Sequence, residues 1–298
     1  MNEPAPIEWA ADRAAIDRAL AVLCHDAAGA LGEPVARAVR YSLLGGGKRL
    51  RGLLFLAAYR TAGGTKDASG LAAAIEVVHA YSLVHDDLPC MDNGDVRRGH
   101  PTVHRMHGAR VATAAGVAMV PLAARAACNA ARSLGLSMAT VSRVVTELMR
   151  ASGAGGMIGG QLLDLEGEGR TLDVQALERI HRAKTGALIR ASVILGGIAA
   201  RASEARISAL ERYGEAIGLA FQIADDVLDV TASTERLGKT AGRDLALQKG
   251  TYPALLGIAG ATAWADTLIA EGCAALRSAE LLSTELDLLA RFVVERES

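Results

Sequence analysis

Two groups of aspartates in this sequence could hold a cation. They are Asp86, Asp87 and Asp92, which follow one apolar run, and Asp225, Asp226 and Asp229, which lie near the end of another. Like charges four residues apart on a helix destabilise it, by roughly 0.2–0.5 kcal/mol per pair. Because the sequence places such a group at the end of an apolar run twice, it predicts a counter-ion at each place.

Pro89 determines whether the first group can act together. In an unbroken helix, Asp86 and Asp92 would lie about 120° apart around the axis and roughly 9 Å apart along it. Proline has no N–H and collides with the carbonyl four residues back, so the helix should kink or stop near Leu88. We therefore expect the chain to return Asp92 to the side of Asp86, where carboxylate oxygens suit a hard cation such as magnesium.

Basic residues occur where a phosphate-bearing ligand would need them. Three glycines precede Lys48, Arg49 and Arg51. They allow close approach of the backbone, and a helix that starts there attracts an anion through its dipole. Further candidates are Arg97, Arg98, Lys184, Lys239 and Lys249. Each of them alone is more often a solvated surface charge than a ligand. Together with the aspartates, they indicate a cation that bridges the protein to a polyanion.

The composition indicates packed helices. Of the 298 residues, 51% are hydrophobic and only 3% are aromatic, and the abundant alanine and leucine are the best apolar helix formers. The formal net charge of −1 excludes a global field that would recruit nucleic acid. The four cysteines lack C-x-x-C spacing, which is typical of a reducing interior. The N-terminal residues show no signal-peptide pattern, so we expect a cytoplasmic protein.

Apolar periodicity predicts helices and no strands. The predicted helices are Ile7–Ala28, Pro34–Leu44, Lys48–Ala62, Leu71–Asp87, Ala109–Arg132, Thr140–Ala151, Val174–Ala200, Glu204–Val230, Tyr252–Leu276 and Ser283–Glu295. The most apolar stretch lies between Arg110 and Arg125 and is interrupted by Pro121, so it predicts no membrane span. No linker divides the chain, and we expect one all-α domain over residues 1–298.

Seven motifs, taken in order, resemble the trans-isoprenyl diphosphate synthases, or polyprenyl synthetase family, and within it the short-chain bacterial farnesyl diphosphate synthase type. They are G-G-K-R-L-R (Gly46–Arg51), H-A-Y-S-L-V-H-D-D-L-P-C-M-D (His79–Asp92), R-R-G-H-P-T (Arg97–Thr102), G-G-Q-L-L-D-L (Gly159–Leu165), K-T-G-A-L (Lys184–Leu188), F-Q-I-A-D-D-V-L-D (Phe221–Asp229) and L-G-K-T-A-G-R-D (Leu237–Asp244). The resemblance implies an isoprenoid synthase-like helical bundle with a central cavity.

The resemblance also implies an activity and its site residues. Such enzymes join an allylic diphosphate, dimethylallyl or geranyl, to isopentenyl diphosphate head to tail and release diphosphate. Magnesium would bridge Asp86, Asp92 and Asp225 to the leaving group, and Asp87, Asp226 and Asp229 would complete or orient the metal shell. The implied allylic-diphosphate contacts are Arg97, Lys184, Lys239 and Lys249, and the implied isopentenyl-diphosphate contacts are Lys48, Arg51, His79 and Arg98. The family also implies a homodimer.

Further roles concern the reactive cation and the product length. The implied cation-facing groups are the hydroxyl of Thr185, the amide of Gln222 and the carbonyl of Lys184. In this family the released diphosphate is thought to remove the final proton. Tyr81, five residues before Asp86, resembles the aromatic residue that accompanies fifteen-carbon products. Helix geometry alone does not select Tyr81, because Ser82 lies closer to the stripe of Asp86, and an ordinary core tyrosine is the alternative.

The sequence departs from the family pattern in three places, one of which is Ala224, where relatives often have a larger polar residue. Relatives usually carry aspartates where this chain has Asn93 and Gly94, which predicts weaker magnesium affinity. Gly52 replaces the usual proline after K-R-L-R, which predicts a looser start of that helix.

Other functions make different demands on the sequence. A geranylgeranyl diphosphate synthase is the alternative within the same chemistry. A class I terpene cyclase usually carries an Asn/Ser/Glu second metal motif and does not need K-R-L-R, and an inactive partner subunit would lose an aspartate motif. This sequence keeps K-R-L-R and both aspartate motifs. A helical di-iron protein would need a second Glu-x-x-His pair besides Glu76 and His79.

Overall fold

A computed structural model describes residues 9–170, 172–231 and 250–295 of the chain. Over these ranges the chain is helical apart from one pair of two-residue strands, which confirms the predicted all-α class. The chain forms two compact units. The first combines the chain up to Leu56 with Thr65–Leu148, and the second combines Ala57–Gly64 with the chain from Met149 onwards. The single domain expected from the sequence stays a prediction.

The first unit contains α1 (Ala10–Leu31), α2 (Glu33–Leu44), the start of α3 (Leu50–Thr61), α4 (Ser69–Asp86), α5 (Val103–His107), α6 (Ala109–Ser133) and most of α7 (Met138–Ser152). It also contains a hairpin of β1 (Val96–Arg97) and β2 (His100–Pro101), which the sequence did not predict. Its two turn residues, Arg98 and Gly99, have φ of 54° and 77°. Positive φ at both positions is the turn that matches the twist of paired strands, so this turn orients Arg97 and Arg98.

α4 carries the first aspartate group and is buried along most of its length. Leu71, Ile75 and Val78 have no exposed surface, and the helix packs against α1 and α6. Burial of each such side chain contributes roughly 1.5–3 kcal/mol. The apolar core of this unit therefore fixes where Asp86, at the end of α4, is presented.

The second unit contains the ends of α3 and α7 together with α8 (Met157–Gly167), α9 (Val174–His181), a π-helical segment (Arg182–Gly186), α10 (Ala187–Ala199), α11 (Glu204–Thr231), α12 (Tyr252–Ser278) and α13 (Thr284–Glu295). The sequence did not predict α8. The helix predicted over Val174–Ala200 is present without a break to Ala199, but it contains a π-helical segment that includes Lys184 and Thr185 and that the sequence did not predict. Single π turns inside α-helices occur frequently at functional sites.

Glycines let the neighbouring helices approach α11, which carries the second aspartate group. A Cβ placed on Gly214 would lie 2.7 Å from both the Cα of Arg190 and Cγ2 of Val193 on α10. One placed on Gly218 would lie 2.8 Å from the Cα of Gly186 in the π-helical segment. Since real side chains essentially never approach so closely, α11 packs backbone to backbone against these elements.

Two helices, α6 and α12, are long and apolar enough to cross a membrane by length and composition. The inference that Pro121 interrupts the first of these stretches is wrong, because α6 continues through it. Of the apolar window, 44% is buried in α6 and 17% in α12. Buried core helices of soluble proteins pass the same test, so this is weak evidence for a span. The expected absence of a membrane span stays a prediction.

The close packing of α10 on α11 is testable by adding one methyl group. We expect Gly214→Ala to lower the free energy of unfolding by about 1–3 kcal/mol, the usual cost of overpacking, as measured by denaturant titration. Gly29→Ala is the control, because its Cβ would meet nothing within 4 Å. Alanine should stabilise that end of α1 by about 0.5–1 kcal/mol. If Gly214→Ala were as stable as the control, α10 would not lie this close to α11.

Candidate functional site

The chain turns sharply after α4 and brings Asp92 back to Asp86. α4 ends at Asp86, and the N–H groups of Met91 and Asn93 donate to the carbonyl of Leu88 at 2.9 and 3.0 Å. The N–H of Asp92 donates to the carbonyl of Asp86 at 2.9 Å. This geometry confirms the predicted return of Asp92, and both aspartates are half-buried.

Asn93 and Gly94, where relatives usually carry aspartates, both contribute to the structure of this turn. Asn93 has φ of 47°, a conformation that asparagine tolerates better than most non-glycine residues. The carbonyl of buried Gly94 accepts a hydrogen bond from the Thr102 hydroxyl at 2.7 Å. The turn is therefore well connected, and its weaker magnesium affinity stays a prediction.

Asp87 is buried and paired with Arg97. Nε and Nη2 of Arg97 donate to the two carboxylate oxygens of Asp87 at 2.7 and 2.8 Å. Burial opposes the charge of Arg97, but the hydrogen bond and charge of Asp87, with the charges of Asp86 and Asp92, raise the pKa of Arg97 above its ordinary value. A bidentate pair of this kind fixes the plane of the guanidinium. These contacts support the orienting role predicted for Asp87 over the role of metal ligand.

A cavity of about 160 Å³ lies in the first unit beside α4. Its charged and histidine lining consists of Arg49, Glu76, His79, Asp87, Arg97, Arg98 and His100. The rest of the lining is mainly apolar and consists of Ala80, Leu83, Val84, Pro101 and Val103 together with Tyr41, Ser42, Gly45 and Thr102. Three arginines and an apolar wall suit a small ligand with an anionic group and a hydrocarbon group.

The cavity includes only some of the residues predicted for the isopentenyl diphosphate. His79 and Arg98 line it, whereas Lys48 and Arg51 are half-buried at the start of α3 and do not. Arg97, predicted for the allylic diphosphate, lines it as well. The structure thus brings His79, Arg97 and Arg98 together around one space.

Positive charge dominates the surroundings of this cavity. Burial, and then the charges of Arg51, Arg98, Arg97 and Arg49, lower the pKa of His79 well below its ordinary value. His79 is therefore neutral near pH 7 and can donate one hydrogen bond and accept another. Burial is also the main cause that lowers the pKa of Arg98 to about 10. An anion in this space would reduce the repulsion among the arginines.

The sequence did not single out Arg49, which lies between Lys48 and Arg51. Its side chain is 3% exposed and its φ is 54°. Nε donates to Oδ1 of Asp17 at 2.8 Å, and Nη2 donates to the carbonyl of Leu43 at 2.7 Å. A non-glycine residue keeps such a φ only where its contacts determine it, so these contacts fix the loop that carries Lys48 and Arg51. Nothing in the sequence distinguishes Arg49 from its basic neighbours.

Gly52 does not loosen the start of α3, so that prediction is wrong. Its N–H donates to Oε1 of buried Glu76 at 2.9 Å, a bond that proline could not make. A Cβ on Gly52 would also lie 2.8 Å from Cδ1 of Ile16. The other oxygen of Glu76 lies 3.9 Å from Nη1 of Arg49. Glu76 on α4 therefore contacts Arg49 inside the K-R-L-R segment and Gly52 directly after it.

Tyr81 is buried in α4 and does not line the cavity. Burial, and then the charge of Asp86, raise the pKa of Tyr81 to about 12. The ring meets that of His85 edge to face, with 5.9 Å between centroids. His85 in turn lies so close to α6 that a Cβ on Gly116 would be 2.1 Å from its Nε2. Tyr81 is thus held within the electrostatic range of the first aspartate group.

Lys184 lies in the π-helical segment and is paired with Asp164 of α8. Its Nζ donates to Oδ2 of Asp164 at 2.6 Å. A Cβ on Gly160 would lie 2.1 Å from the backbone nitrogen of Lys184, so α8 packs directly on this segment. An ammonium has three donors, and the bond to Asp164 leaves donor capacity for an anion. Sequence reasoning missed Asp164, although the G-G-Q-L-L-D-L motif contains it.

Gln161, in the same motif, is a second residue that sequence reasoning missed. Its side chain is 91% buried, and neither amide atom has a hydrogen-bond partner within the described part of the chain. Buried amides normally have such partners. The sequence feature that could have identified Gln161 is a polar residue that follows two glycines near the start of a helix.

Thr185, Gln222 and Asp226 form a chain of hydrogen bonds in the second unit. The Thr185 hydroxyl donates to Oε1 of Gln222 at 2.8 Å, and Nε2 of Gln222 donates to Oδ1 of Asp226 at 3.0 Å. Oδ2 of Asp226 accepts the N–H of Tyr252, the first residue of α12, at 3.1 Å. Asp226 is 2% exposed. As with Asp87, these contacts support an orienting role for Asp226 over the role of metal ligand.

The remaining predicted metal ligands differ in exposure, and their residue types fit magnesium. Asp225 is half-buried, and Asp229 is buried. Among residues 9–170, 172–231 and 250–295, no three His, Cys, Asp or Glu side chains are already gathered as a metal site. Magnesium usually takes one or two carboxylates and completes its shell with water and substrate phosphates. The first unit supplies carboxylates of this type at Asp86 and Asp92, whose backbones are hydrogen-bonded, and the second unit supplies one at Asp225. Lys239 and Lys249 lie outside the described residues.

Comparison with known proteins identifies the family. The polyprenyl synthetase family model matches residues 33–277. The chain is 45% identical to the farnesyl diphosphate synthase of Escherichia coli (strain K12) over 268 residues, which cover 88% of this chain and 89% of that protein. It is 46% identical to the chloroplastic geranylgeranyl pyrophosphate synthase of Catharanthus roseus over 236 residues, which cover 78% of this chain and 66% of the plant protein.

Solved structures agree with the sequence comparison. The geranyltransferase of Helicobacter pylori, solved with magnesium and isoprenyl diphosphate, matches with a TM-score of 0.81 and 30% identity, and 98% of each chain is covered. The geranylgeranyl pyrophosphate synthetase of Pyrococcus horikoshii matches with a TM-score of 0.81 and 31% identity, over 97% of this chain and all of that one. The resemblance stated from the motifs is confirmed, and the chain belongs to the polyprenyl synthetase family.

Proposed function

We propose that this prenyltransferase condenses dimethylallyl and then geranyl diphosphate with isopentenyl diphosphate to form farnesyl diphosphate. The observation that carries the proposal lies in the first unit. There the chain folds Asp92 back beside Asp86, and Arg97 joins this acidic turn to an arginine-lined cavity. Carboxylates for a cation and arginines for an anion thus occur side by side, as a reaction of two diphosphates requires.

The reaction breaks the carbon–oxygen bond of the allylic diphosphate, forms a carbon–carbon bond and releases one proton. Magnesium bound at Asp86, Asp92 and Asp225 would neutralise charge that develops on the leaving diphosphate. Arg97 and Lys184 orient that diphosphate through hydrogen bonds to its oxygens. His79, Arg98, Lys48 and Arg51 hold the isopentenyl diphosphate, and the apolar side of the cavity receives its five-carbon group. The released diphosphate accepts the proton.

Tyr81 is the residue that favours a fifteen-carbon product. It is buried near Asp86, so a hydrocarbon tail that runs from the aspartates along its side of α4 would meet the ring. Identity does not select the product, since farnesyl and geranylgeranyl synthases match this chain equally well. A geranylgeranyl synthase is therefore the second candidate, and mass analysis of the product distinguishes the two. We also propose a cytoplasmic homodimer, as the motif resemblance implies.

The metal requirement can be tested with carboxylate-to-amide variants. Asp86→Asn and Asp225→Asn each remove one charge at nearly constant volume. We expect each to lower kcat by about 100-fold or more, as loss of a group that stabilises the transition state does, and to raise the magnesium concentration for half-maximal rate. Asp26→Asn, on the exposed surface of α1, is the matched control and should behave as the unaltered protein. Full activity of the unaltered protein in excess chelator would exclude magnesium dependence.

The two diphosphate sites can be separated by steady-state kinetics. Arg51→Ala should raise the KM for isopentenyl diphosphate, and Lys184→Ala should raise the KM for geranyl diphosphate. A hydrogen bond to a charged group contributes roughly 1.5–3 kcal/mol, so each shift should be on the order of 10- to 100-fold. The variants control for each other. Equal shifts for both substrates in both variants would contradict the assignment.

The product length can be tested at Tyr81. Tyr81→Ala removes the ring from a buried position and should move the main product from fifteen to twenty or more carbons, as identified by mass spectrometry. The cavity should cost about 3–5 kcal/mol of stability, so the assay is run well below the unfolding midpoint. Tyr81→Phe, which keeps the ring, is the control and should still release the fifteen-carbon product. If folded Tyr81→Ala also stops at fifteen carbons, the ring does not limit elongation.

A further inference from the structure

The hydrogen bonds around Gln222 allow only one direction of donation. One end of its amide lies 3.0 Å from Oδ1 of Asp226, and the other lies 2.8 Å from the Thr185 hydroxyl. An ionised carboxylate only accepts hydrogen bonds. The end of the amide beside Asp226 must therefore be the NH₂ group. The end beside Thr185 must then be the carbonyl oxygen, which also only accepts.

It follows that Thr185 must donate its hydroxyl proton to Gln222. A threonine hydroxyl has one proton and two acceptor lone pairs. Since the proton is committed to Oε1 of Gln222, only lone pairs of Thr185 remain for any further neighbour. Had Gln222 been turned over, its NH₂ group would donate to Thr185, and the hydroxyl proton would point elsewhere.

Asp226 is itself held in place by its neighbours, so the fold determines the direction of the hydrogen bonds that run from Thr185 through Gln222. Its Oδ2 accepts the N–H of Tyr252 at 3.1 Å. The first N–H groups of a helix lack partners within the helix, and its dipole attracts a carboxylate there. The ring of His181 stacks on that of Tyr252, with 5.6 Å between centroids, and its Nε2 lies 3.6 Å from Oδ2. Gln222 and Asp226 are four residues apart on α11 and so share one face.

We propose that Asp226 is a positioning residue that orients the Gln222 amide and thereby leaves Thr185 with only lone pairs for the reacting allylic carbon. This inference rests on the proposed function, in which that carbon becomes electron-deficient as diphosphate leaves. Lone pairs stabilise such a carbon, whereas a hydroxyl proton aimed at it would destabilise it. The role of Asp226 is thus exerted through Gln222 and Thr185, and it differs from metal ligation.

Asp226→Asn tests this directly. The N–H of Tyr252 would hold the asparagine carbonyl, so the asparagine NH₂ group would face Gln222 and favour the reversed amide. We expect kcat to fall on the order of 100-fold, as for loss of one oriented dipole in an active site. The KM values of both substrates and the magnesium concentration for half-maximal rate should stay the same. Asp225→Asn is the comparison, since it should shift the magnesium dependence. A similar shift in Asp226→Asn would identify Asp226 as a metal ligand and overturn the proposal.

A double-mutant cycle tests whether Asp226 acts through Thr185. In a Thr185→Val background, which has no hydroxyl to orient, Asp226→Asn should change kcat by less than about threefold, because coupled residues are not additive. Additive losses in kcat would overturn the proposal. Should Asp226→Asn fail to fold by circular dichroism, the cycle of Gln222→Leu with Thr185→Val decides in the same way. The unaltered protein tests the proposed function separately: if it couples no substrates, that function fails, whatever the cycle gives.

Discussion

The rest of the site depends on the negative charge of Asp86, Asp87 and Asp92, which lie at and just after the end of the buried helix α4. The core fixes the end of α4, and the turn after it brings the backbone of Asp92 back to that of Asp86, next to Asp87 in the chain. Two unit charges 4 Å apart interact by about 4 kcal/mol at the effective dielectric of a protein surface. The protein neutralises one carboxylate itself, through the bidentate pair of Asp87 with Arg97. This internal ion pair distinguishes Asp87 from Asp86 and Asp92, for which we propose the role of metal ligands.

In the cavity beside α4 the excess charge is positive instead of negative. Three arginines line it, and their charges together with burial keep His79 neutral. Two lining carboxylates offset part of this charge: Glu76 lies 3.9 Å from Arg49, and Asp87 pairs with Arg97. An anionic ligand would offset the third arginine. In the proposed function, a cation and an anion bind on the two sides of Arg97, and this arginine connects them.

The parts of this site that could be predicted from sequence are those where one residue restricts the backbone. The helix end expected from Pro89 was correct, and the return of Asp92 to Asp86 followed from it, whereas the same reasoning failed at Pro121, which lies inside α6. The π-helical segment did not follow, because one extra residue in an apolar helix leaves the periodicity nearly unchanged. The sequence also did not predict that Arg49 is buried while Lys48 and Arg51 are half-buried. This difference depends on the contacts of Arg49 with Asp17 and Glu76, which are far away in the sequence.

The two adjacent aspartate pairs show why the residue types alone could not assign roles. Neighbouring residues on a helix point about 100° apart, so the two members of a pair have different surroundings. In each pair the first aspartate is half-buried and the second is buried. The buried member has an internal partner that the proposed reaction uses, Arg97 for Asp87 and Gln222 for Asp226. We propose that each pair joins a carboxylate that binds a metal to one that orients a substrate contact. On this proposal, loss of the second member would leave the metal ligand in place and still disorder the group beside it.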